Sequence, residues 1–286
     1  MTVPEQLVSD WNGTPAGAEW VGRLPAMVAD LERRWSLTLG PPYEGDDVTA
    51  AWVAPVHRAD GTAAVLKVAM PHLEAEHEID GLRFWDGDPT VRLLEADERL
   101  NAMLIERCEP GTTLRSEPDD EQDVVVADLL RRLWRTPPDP SPFRPLSVMV
   151  DYWIDETNAN EHRWRDAGLV REGTSVFAEL AHDATAPRVL LATDLHAGNI
   201  LAAQREPWLA IDPKPFVGDP AYDPTQHLFN GLARLHRDPS GTIARVAELV
   251  ELDAERVRRW TFARAAAETH DGWDADWTRL ARALAD

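Results

Sequence analysis

Apolar and charged residues recur at helical spacing over residues 17–36 (GAEWVGRLPAMVADLERRWS), which predicts a helix there. The period then changes. Residues 37–70 read as β-rich runs, LTLGPPYEGDD, VTAAWVAPV and TAAVLKVAM, with a hairpin turn at RADGT between the last two. Pro71 stops the strand and opens a helical stretch, HLEAEHEIDGLRFW, in which Leu73, Glu78, Leu82 and Trp85 recur at spacings of three to five. Two more strand candidates follow, TVRLLEAD and LNAMLIER.

Residues 107–118 (RCEPGTTLRSEP) are rich in turn formers and read as a connector, with a hinge at about 105–112. Beyond it the pattern is mostly helical: 119–136, 147–166, 172–183, then 224–237, 242–249 and 253–268. A short hairpin, NILAA–QREP–WLAID at 199–212, interrupts the helices. The pattern predicts an α+β chain of two lobes. Residues 1–106 form a small β-rich lobe with one key helix, and 107–286 a larger, mainly helical lobe carrying one hairpin.

Length agrees, since 286 residues is close to two units at roughly 150 residues each. Apolar residues make up 44% of the chain, with 12 Trp, enough for a sizeable core. Charge narrows the partners. With 29 basic and 50 acidic residues the net charge is −21, a field that repels phosphate backbones and anionic lipid and draws cations. Nucleic-acid and membrane-surface binding are therefore not expected. A single cysteine, Cys108, excludes an internal disulfide framework and fits a reducing compartment. The N-terminus has no signal-peptide pattern, and no run approaches the ~18 apolar residues of a membrane helix. A cytoplasmic monomer is expected.

Lysine usage adds a second narrowing. Only Lys67 and Lys214 are lysines, and every other basic residue is arginine. Arginine replaces lysine on most solvated surfaces but not where a compact ammonium is required, which makes both lysines candidates for chemistry.

The segment ATDLHAGNILAAQREPWLAIDPKPFVGDPAYD (192–223) carries Asp194, Asn199 five residues later, and Asp212 thirteen after that. Kinase catalytic loops have the same D-x-x-x-x-N step followed by a Mg²⁺-ligating Asp. The first carboxylate orients an acceptor hydroxyl and receives its proton. The amide oxygen and the second carboxylate supply hard donors to Mg²⁺, whose other ligands are phosphate oxygens and water. Taken singly, the same residues could be turn formers and caps. In AVLKV (64–68), Lys67 matches the strand lysine that contacts the α- and β-phosphates. Its acidic partner is Glu78, with Glu74, one turn earlier on the same face, as the alternative.

These residues, with EIDGLRFWDGDPTVRLLEAD (78–97), LIERCEPGTTL (104–114), TDLHAGNIL (193–201) and AIDPKPFVGDPAYD (210–223), resemble the aminoglycoside phosphotransferase superfamily, and within it the streptomycin and hydroxyurea phosphotransferase branch. The resemblance implies a protein-kinase-like bilobal fold and an ATP- and Mg²⁺-dependent phosphotransferase. It implies Asp194 as catalytic base, Asn199 and Asp212 as magnesium ligands, and Lys67 with Glu78 as the phosphate-side ion pair. Backbone groups around Glu106 to Cys108 would bind the adenine. The family usually reads His-Gly before the catalytic Asp, whereas Ala192 and Thr193 stand here. No G-x-G-x-x-G occurs, so phosphate cover would come from the PPYE turn flanked by Gly40 and Gly45.

Lys214, two residues after Asp212, is expected to neutralise charge on the γ-phosphate or the leaving oxygen, the alternative being a solvated hairpin-end lysine. Asp219 is expected to brace the catalytic loop, Asp223 to cap the next helix, and His196 to pack within the loop. Gln226 and Asn230, the acidic helix bearing Asp151, Asp155 and Glu156, and THDGWDADW (269–277) are the acceptor-side candidates. Together they favour a small, hydroxylated, cationic acceptor of the aminoglycoside antibiotic type. The alternatives are a kinase of an endogenous sugar or metabolite, and a nucleotide-binding regulatory pseudokinase.

Overall fold

The computed structural model describes residues 2–44, 50–267 and 274–285. The chain divides into two compact units, one running up to Thr112 and taking in Leu201–Ile211, the other Thr113–Ile200 and the chain from Asp212 onward. In the first unit, helices α1 (Glu5–Trp11) and α2 (Pro15–Arg34) precede strands β1 (Leu37–Leu39), β2 (Ala51–Arg58) and β3 (Ala63–Ala69). Helix α3 (Glu78–Trp85) and strands β4 (Leu93–Asp97) and β5 (Ala102–Glu106) complete its N-terminal part. Thr14 caps α2 by accepting from the Gly17 N–H at 3.1 Å, with Pro15 at the first helical position.

The five strands form an antiparallel sheet in the order β1-β2-β3-β5-β4, with Lys67 opposite Val53 on one side and Met103 on the other. Strand alternation divides the side chains between two cores. Ala64, Leu66 and Val68 face a cluster with Leu24, Val28 and Leu31 of α2. The opposite face, which carries Lys67, holds Met103 and Ile105 packed with Ile79 and Leu82 of α3. α3 is shorter than its pattern suggests. Residues 72–77 form isolated turns, with Ala75 N–H donating to His72 and Glu78 N–H to Ala75, and the helix begins at Glu78. The reach of Glu78 to the sheet overrides the helical propensity of LEAEH.

The chain continues through α4 (Asp119–Leu133), α5 (Leu146–Ala159), α6 (Ala167–Ala181) and β6 (Val189–Leu191). The hairpin strands β7 (Ile200–Ala202) and β8 (Trp208–Ala210) follow, then β9 (Phe216–Gly218). Last come α7 (Pro224–Asn230), α8 (Leu232–Arg237), α9 (Pro239–Leu249), α10 (Ala254–Ala267) and α11 (Ala275–Ala285). Several expected boundaries shift for local reasons. The helix expected over 147–166 ends at Ala159, and Asp166 caps a new one by accepting from Leu169 N–H at 3.1 Å. That cap starts α6 at 167 instead of 172. Gly231 splits the stretch 224–237 into two helices, and Asp238 caps α9 ahead of its expected start by accepting from Gly241 N–H at 2.9 Å.

In the second unit, Phe177, Tyr222 and Trp260 pack edge-to-face at the core, with ring centroids 5.8 and 5.3 Å from Trp260. Asp123 on α4 is buried and accepts from His227 on α7 at 2.8 Å, Arg234 on α8 at 2.7 Å and Arg245 on α9 at 2.9 Å. Burial alone would raise its carboxyl, but the bonds from His227 and Arg234 pull it down to about 2. This one side chain fixes three helices around the segment that leads out of the candidate site.

The hairpin β7–β8, placed by its sequence position among the helices, groups instead with the first unit. Val91 N–H donates to Ala210 and Ala210 N–H to Pro89, both at 3.0 Å, and Leu209 is buried against Val91, Ile105 and Cys108. Arg205 at its tip donates to Glu106 from Nε at 3.0 Å and Nη2 at 2.9 Å, and from Nη2 to the Thr90 carbonyl at 3.0 Å.

Candidate active site

In the first unit, Lys67 and Glu78 form a buried ion pair, with Nζ 2.6 and 2.7 Å from the two carboxylate oxygens. Their side chains are 9% and 2% exposed. Glu74, the alternative partner, is half-buried and does not take this place. The pair exists because β3 sends Lys67 to the α3 side of the sheet and α3 opens with Glu78.

At the end of β5, burial acts to raise the Glu106 carboxyl, yet the Arg205 guanidinium and the Arg92 N–H hold it below its usual range. Its side chain is spent on this clamp, so any contact with a base falls to the backbone. Cys108 is buried, and burial together with the Glu106 charge pushes its thiol up to about 12. That thiol is inert near neutrality and serves packing. Among the described residues no hydrogen bond engages the Cys108 N–H. The PPYE turn runs beside β2, with Gly40 and Tyr43 N–H groups bonded to Pro55 and Val53 carbonyls at 2.8 Å, while Gly45 lies outside the described residues.

In the second unit, the short antiparallel pair β6–β9 matches Leu191 with Phe216. This brings the loop that follows β6 beside residues 212–215, which the sequence pattern does not reveal. Lys214 N–H donates to the Ala192 carbonyl at 2.8 Å. Its ammonium lies 2.5 Å from Asp194 Oδ2 and 3.6 Å from Asp212 Oδ2. One cation therefore joins two carboxylates eighteen positions apart, and Lys214 is not a solvated hairpin-end lysine. Asn199 donates from Nδ2 to the Asp194 carbonyl at 3.0 Å. Only the amide nitrogen can donate there, so the side-chain oxygen is the end left to accept a ligand. His196 Nδ1 accepts from Gly198 N–H at 3.0 Å, the loop-packing role expected of it.

Two residues of this site have left-handed backbone, Thr193 at φ 52° and Asp212 at φ 52°. Asp tolerates that region, whereas a β-branched Thr is held there against a cost of about 1–3 kcal/mol. Asp194 N–H donates to Ala192 carbonyl at 2.8 Å, closing a tight turn centred on Thr193. Asp223 holds it, not Asp219. Its carboxylate accepts from Thr193 N–H at 2.8 Å, Ala192 N–H at 3.1 Å and Trp134 Nε1 at 2.9 Å. The Thr193 hydroxyl adds a bond to the Lys214 carbonyl at 2.6 Å, a tie that a glycine at this position cannot make.

The roles expected of the two aspartates are thus exchanged. Asp223 makes no cap to α7. Asp219 instead accepts from Arg256 Nε at 2.5 Å, Trp260 Nε1 at 2.7 Å and Ala221 N–H at 3.0 Å. The 3-10 turn between the two residues points them in different directions, and only Asp223 reaches the loop. Asp223 is fully buried, and burial pushes its carboxyl up to about 6 despite the bonds it accepts from Trp134, Ala192 and Thr193.

The donors present suit Mg²⁺. Asp212 offers a carboxylate with 38% of its side chain exposed, and Asn199 an amide oxygen, both hard ligands. No group of three or more His, Cys, Asp or Glu among the described residues could hold a metal ion. A two-donor set fits an ion that arrives already bound to phosphates. On the acceptor side, Gln226 Oε1 accepts from the buried Arg264 at 2.9 Å, whereas Asn230 is exposed. Asp151 accepts from His182 Nε2 at 2.9 Å, and Asp155 is exposed. Residues 269–273 of the acidic aromatic segment lie outside the described residues. Trp277 packs on Phe229 at 5.0 Å. No helix among the described residues is long and apolar enough to cross a membrane.

A family model described as aminoglycoside/hydroxyurea antibiotic resistance kinase matches residues 34–274. The chain is 39% identical to a streptomycin 6-kinase of Streptomyces griseus over 96% of its length and 91% of that protein's. It is 40% identical to a hydroxyurea phosphotransferase of Kitasatospora aureofaciens over 88% and 74% respectively. Among solved structures, a thermostable mutant of the aminoglycoside phosphotransferase APH(4)-Ia in complex with ADP and hygromycin B aligns at TM-score 0.59 and 15% identity, covering 90% of this chain and 97% of that one. The choline kinase LicA of Streptococcus pneumoniae aligns at TM-score 0.61 and 14% identity, covering 91% and 92%. The fold expected from the sequence, a β-sheet lobe and a helical lobe of protein-kinase-like type, is the one these structures share.

Proposed function

The chain belongs to the aminoglycoside/hydroxyurea antibiotic resistance kinase family, and from that premise we propose that it transfers the γ-phosphoryl group of ATP to a hydroxyl of a streptomycin-type antibiotic. It is a small-molecule kinase. The observation that carries the proposed chemistry is the ammonium of Lys214 set against both Asp194 and Asp212, with Asn199 tied to the same loop.

In this reading Asp194 is the base. Its carboxylate takes the proton of the acceptor hydroxyl as that oxygen bonds to the γ-phosphorus, and the bond from the γ-phosphorus to the bridging oxygen breaks toward ADP. Negative charge leaves Asp194 during this step, and Lys214 is the cation positioned to offset it where it next appears. Lys67, fixed by Glu78, serves the phosphates of ATP, and backbone near Glu106 and Cys108 takes the adenine. Asn199 and Asp212 would hold Mg²⁺, which when bound neutralises phosphate charge. The tight turn held by Asp223 orients Asp194 before substrate arrives.

The net charge of −21 favours a cationic acceptor over a neutral one. In this reading the protein works as a monomer in the cytoplasm, where ATP is supplied. The test is incubation with Mg-ATP and streptomycin, hydroxyurea or simple sugars, read by ADP release and by product mass. Streptomycin should gain one phosphoryl group. Turnover of hydroxyurea or a sugar with none of streptomycin would overturn the acceptor. ATP binding with no turnover of any acceptor would favour a regulatory role.

A further inference from the structure

Gly198 stands just before Asn199, and a guanidinium fills the place its side chain would take. A Cβ on Gly198 would lie 2.5 Å from Arg115 Nη2, 2.7 Å from Arg115 Cζ and 2.8 Å from His196 Cε1. Gly198 is not among the glycines with positive φ, so a side chain here would meet these two neighbouring side chains and not a backbone strain. Arg115 comes from the connector, far from the loop in sequence. The register of that connector explains the contact. Gly111 N–H donates to the Ala202 carbonyl at 3.0 Å and Ala202 N–H to the Thr112 carbonyl at 2.9 Å, so the connector runs antiparallel to β7. Counted on from that pairing, residue 115 falls opposite 198–199.

The support is firm. Leu114 is fully buried and anchors a 3-10 turn over Leu114–Ser116, closed by Glu117 N–H donating to the Leu114 carbonyl at 3.0 Å. The loop is wound tightly on the other side, with Asn199 N–H on the His196 carbonyl at 2.9 Å and Gly198 N–H on His196 Nδ1. Arg115 thus abuts the peptide that leads directly into Asn199. A flat guanidinium can pack on a peptide where a lysine ammonium cannot.

We propose that Arg115 is a positioning residue: packed on Gly198, it fixes the amide of Asn199 in the orientation that receives the metal. The inference rests on the proposed role of Asn199, and the experiment separates the two. Mn²⁺ replaces Mg²⁺, and its binding to the protein–ADP complex is measured by electron paramagnetic resonance. Groups that orient a metal ligand typically affect metal affinity by 10–100-fold. Arg115→Ala should weaken Mn²⁺ binding by about tenfold while leaving metal-free ADP affinity and the melting temperature unchanged, since Arg115 is exposed.

Gly198→Ala, whose Cβ meets both the guanidinium and His196 Cε1, should lose at least as much, and the double variant should be no weaker than Gly198→Ala alone. Arg115→Lys should restore less than half of the affinity. Unchanged Mn²⁺ binding in Arg115→Ala, alongside impaired binding in Asn199→Ala, would overturn the inference alone. Unchanged binding in Asn199→Ala would remove the role of Asn199 and the inference with it. Full restoration by lysine, or additive losses in the double variant, would also overturn it.

Discussion

Lys67 and Lys214 are the two lysines of the chain, and each meets carboxylate, yet in surroundings that give the contacts different meanings. Lys67 and Glu78 are sealed between sheet and helix and engage each other through both carboxylate oxygens. Lys214 is 15% exposed and shared between Asp194 and Asp212, at 23% and 38%. A sealed pair has given up its hydration and must stay together, because separating it strands a charge in the core. A shared, partly hydrated ammonium can exchange partners at little cost. The first arrangement suits a fixed anchor and the second suits chemistry in which charge moves.

The largest effect should come from the carboxylate that Lys214 touches. Asp194→Asn should lower kcat by roughly 10²–10⁴-fold with ATP binding and melting temperature retained. Near-normal turnover would reduce the Lys214 contacts to structure and erase the contrast. Next, Lys67→Ala should destabilise the fold by about 3–5 kcal/mol in denaturant titration, by taking the ammonium away from the buried Glu78 carboxylate. The double replacement Lys67→Met with Glu78→Leu should recover that stability without recovering ATP affinity.

Lys214→Ala is the converse. It should cost no more than ~1 kcal/mol of stability while lowering kcat by about 10²-fold. Equal stability losses at Lys67 and Lys214 would dissolve the distinction. The smallest effect is a pH dependence through Asp223. Burial holds its carboxyl near 6, so between about pH 4 and 6 the folded state keeps a proton that the unfolded chain has lost. Stability from this group therefore falls as pH rises through that window. Activity should move the opposite way, since three donors on Asp223 require the ionised form, and about half should be lost near pH 6. Asp223→Asn should flatten the stability slope, and a persisting slope would assign it elsewhere.

Much of this was legible in the sequence where chemistry demands a residue type at a fixed spacing. Lys67, Asp194, Asn199 and Asp212 stand out because few alternatives to ammonium, carboxylate and amide exist for the roles proposed for them. The period change from strands to helices was legible for the same kind of reason, since side-chain burial enforces it. Direction across a tight turn was not. Asp219 and Asp223 are four residues apart and chemically identical, and only the 3-10 turn between them decides which meets the Thr193 N–H. Pairing across long sequence distances was equally hidden. β6 and β9 are three residues each, too short for a periodic signal, yet their register sets Lys214 beside Asp194. Helix starts moved wherever a capping Asp or a tertiary partner, as at Asp166 and Glu78, outweighed propensity.

The grouping of Leu201–Ile211 with the first unit has a consequence for biosynthesis. A ribosome must deliver Thr113–Ile200 of the second unit before the chain that closes the first has been made. Until then Val91, Ile105 and Cys108 lack the cover that Leu209 provides. A fragment ending at Thr112 would carry the sheet but an open apolar seam, so the first unit should resist expression alone unless residues 201–211 are grafted back onto it.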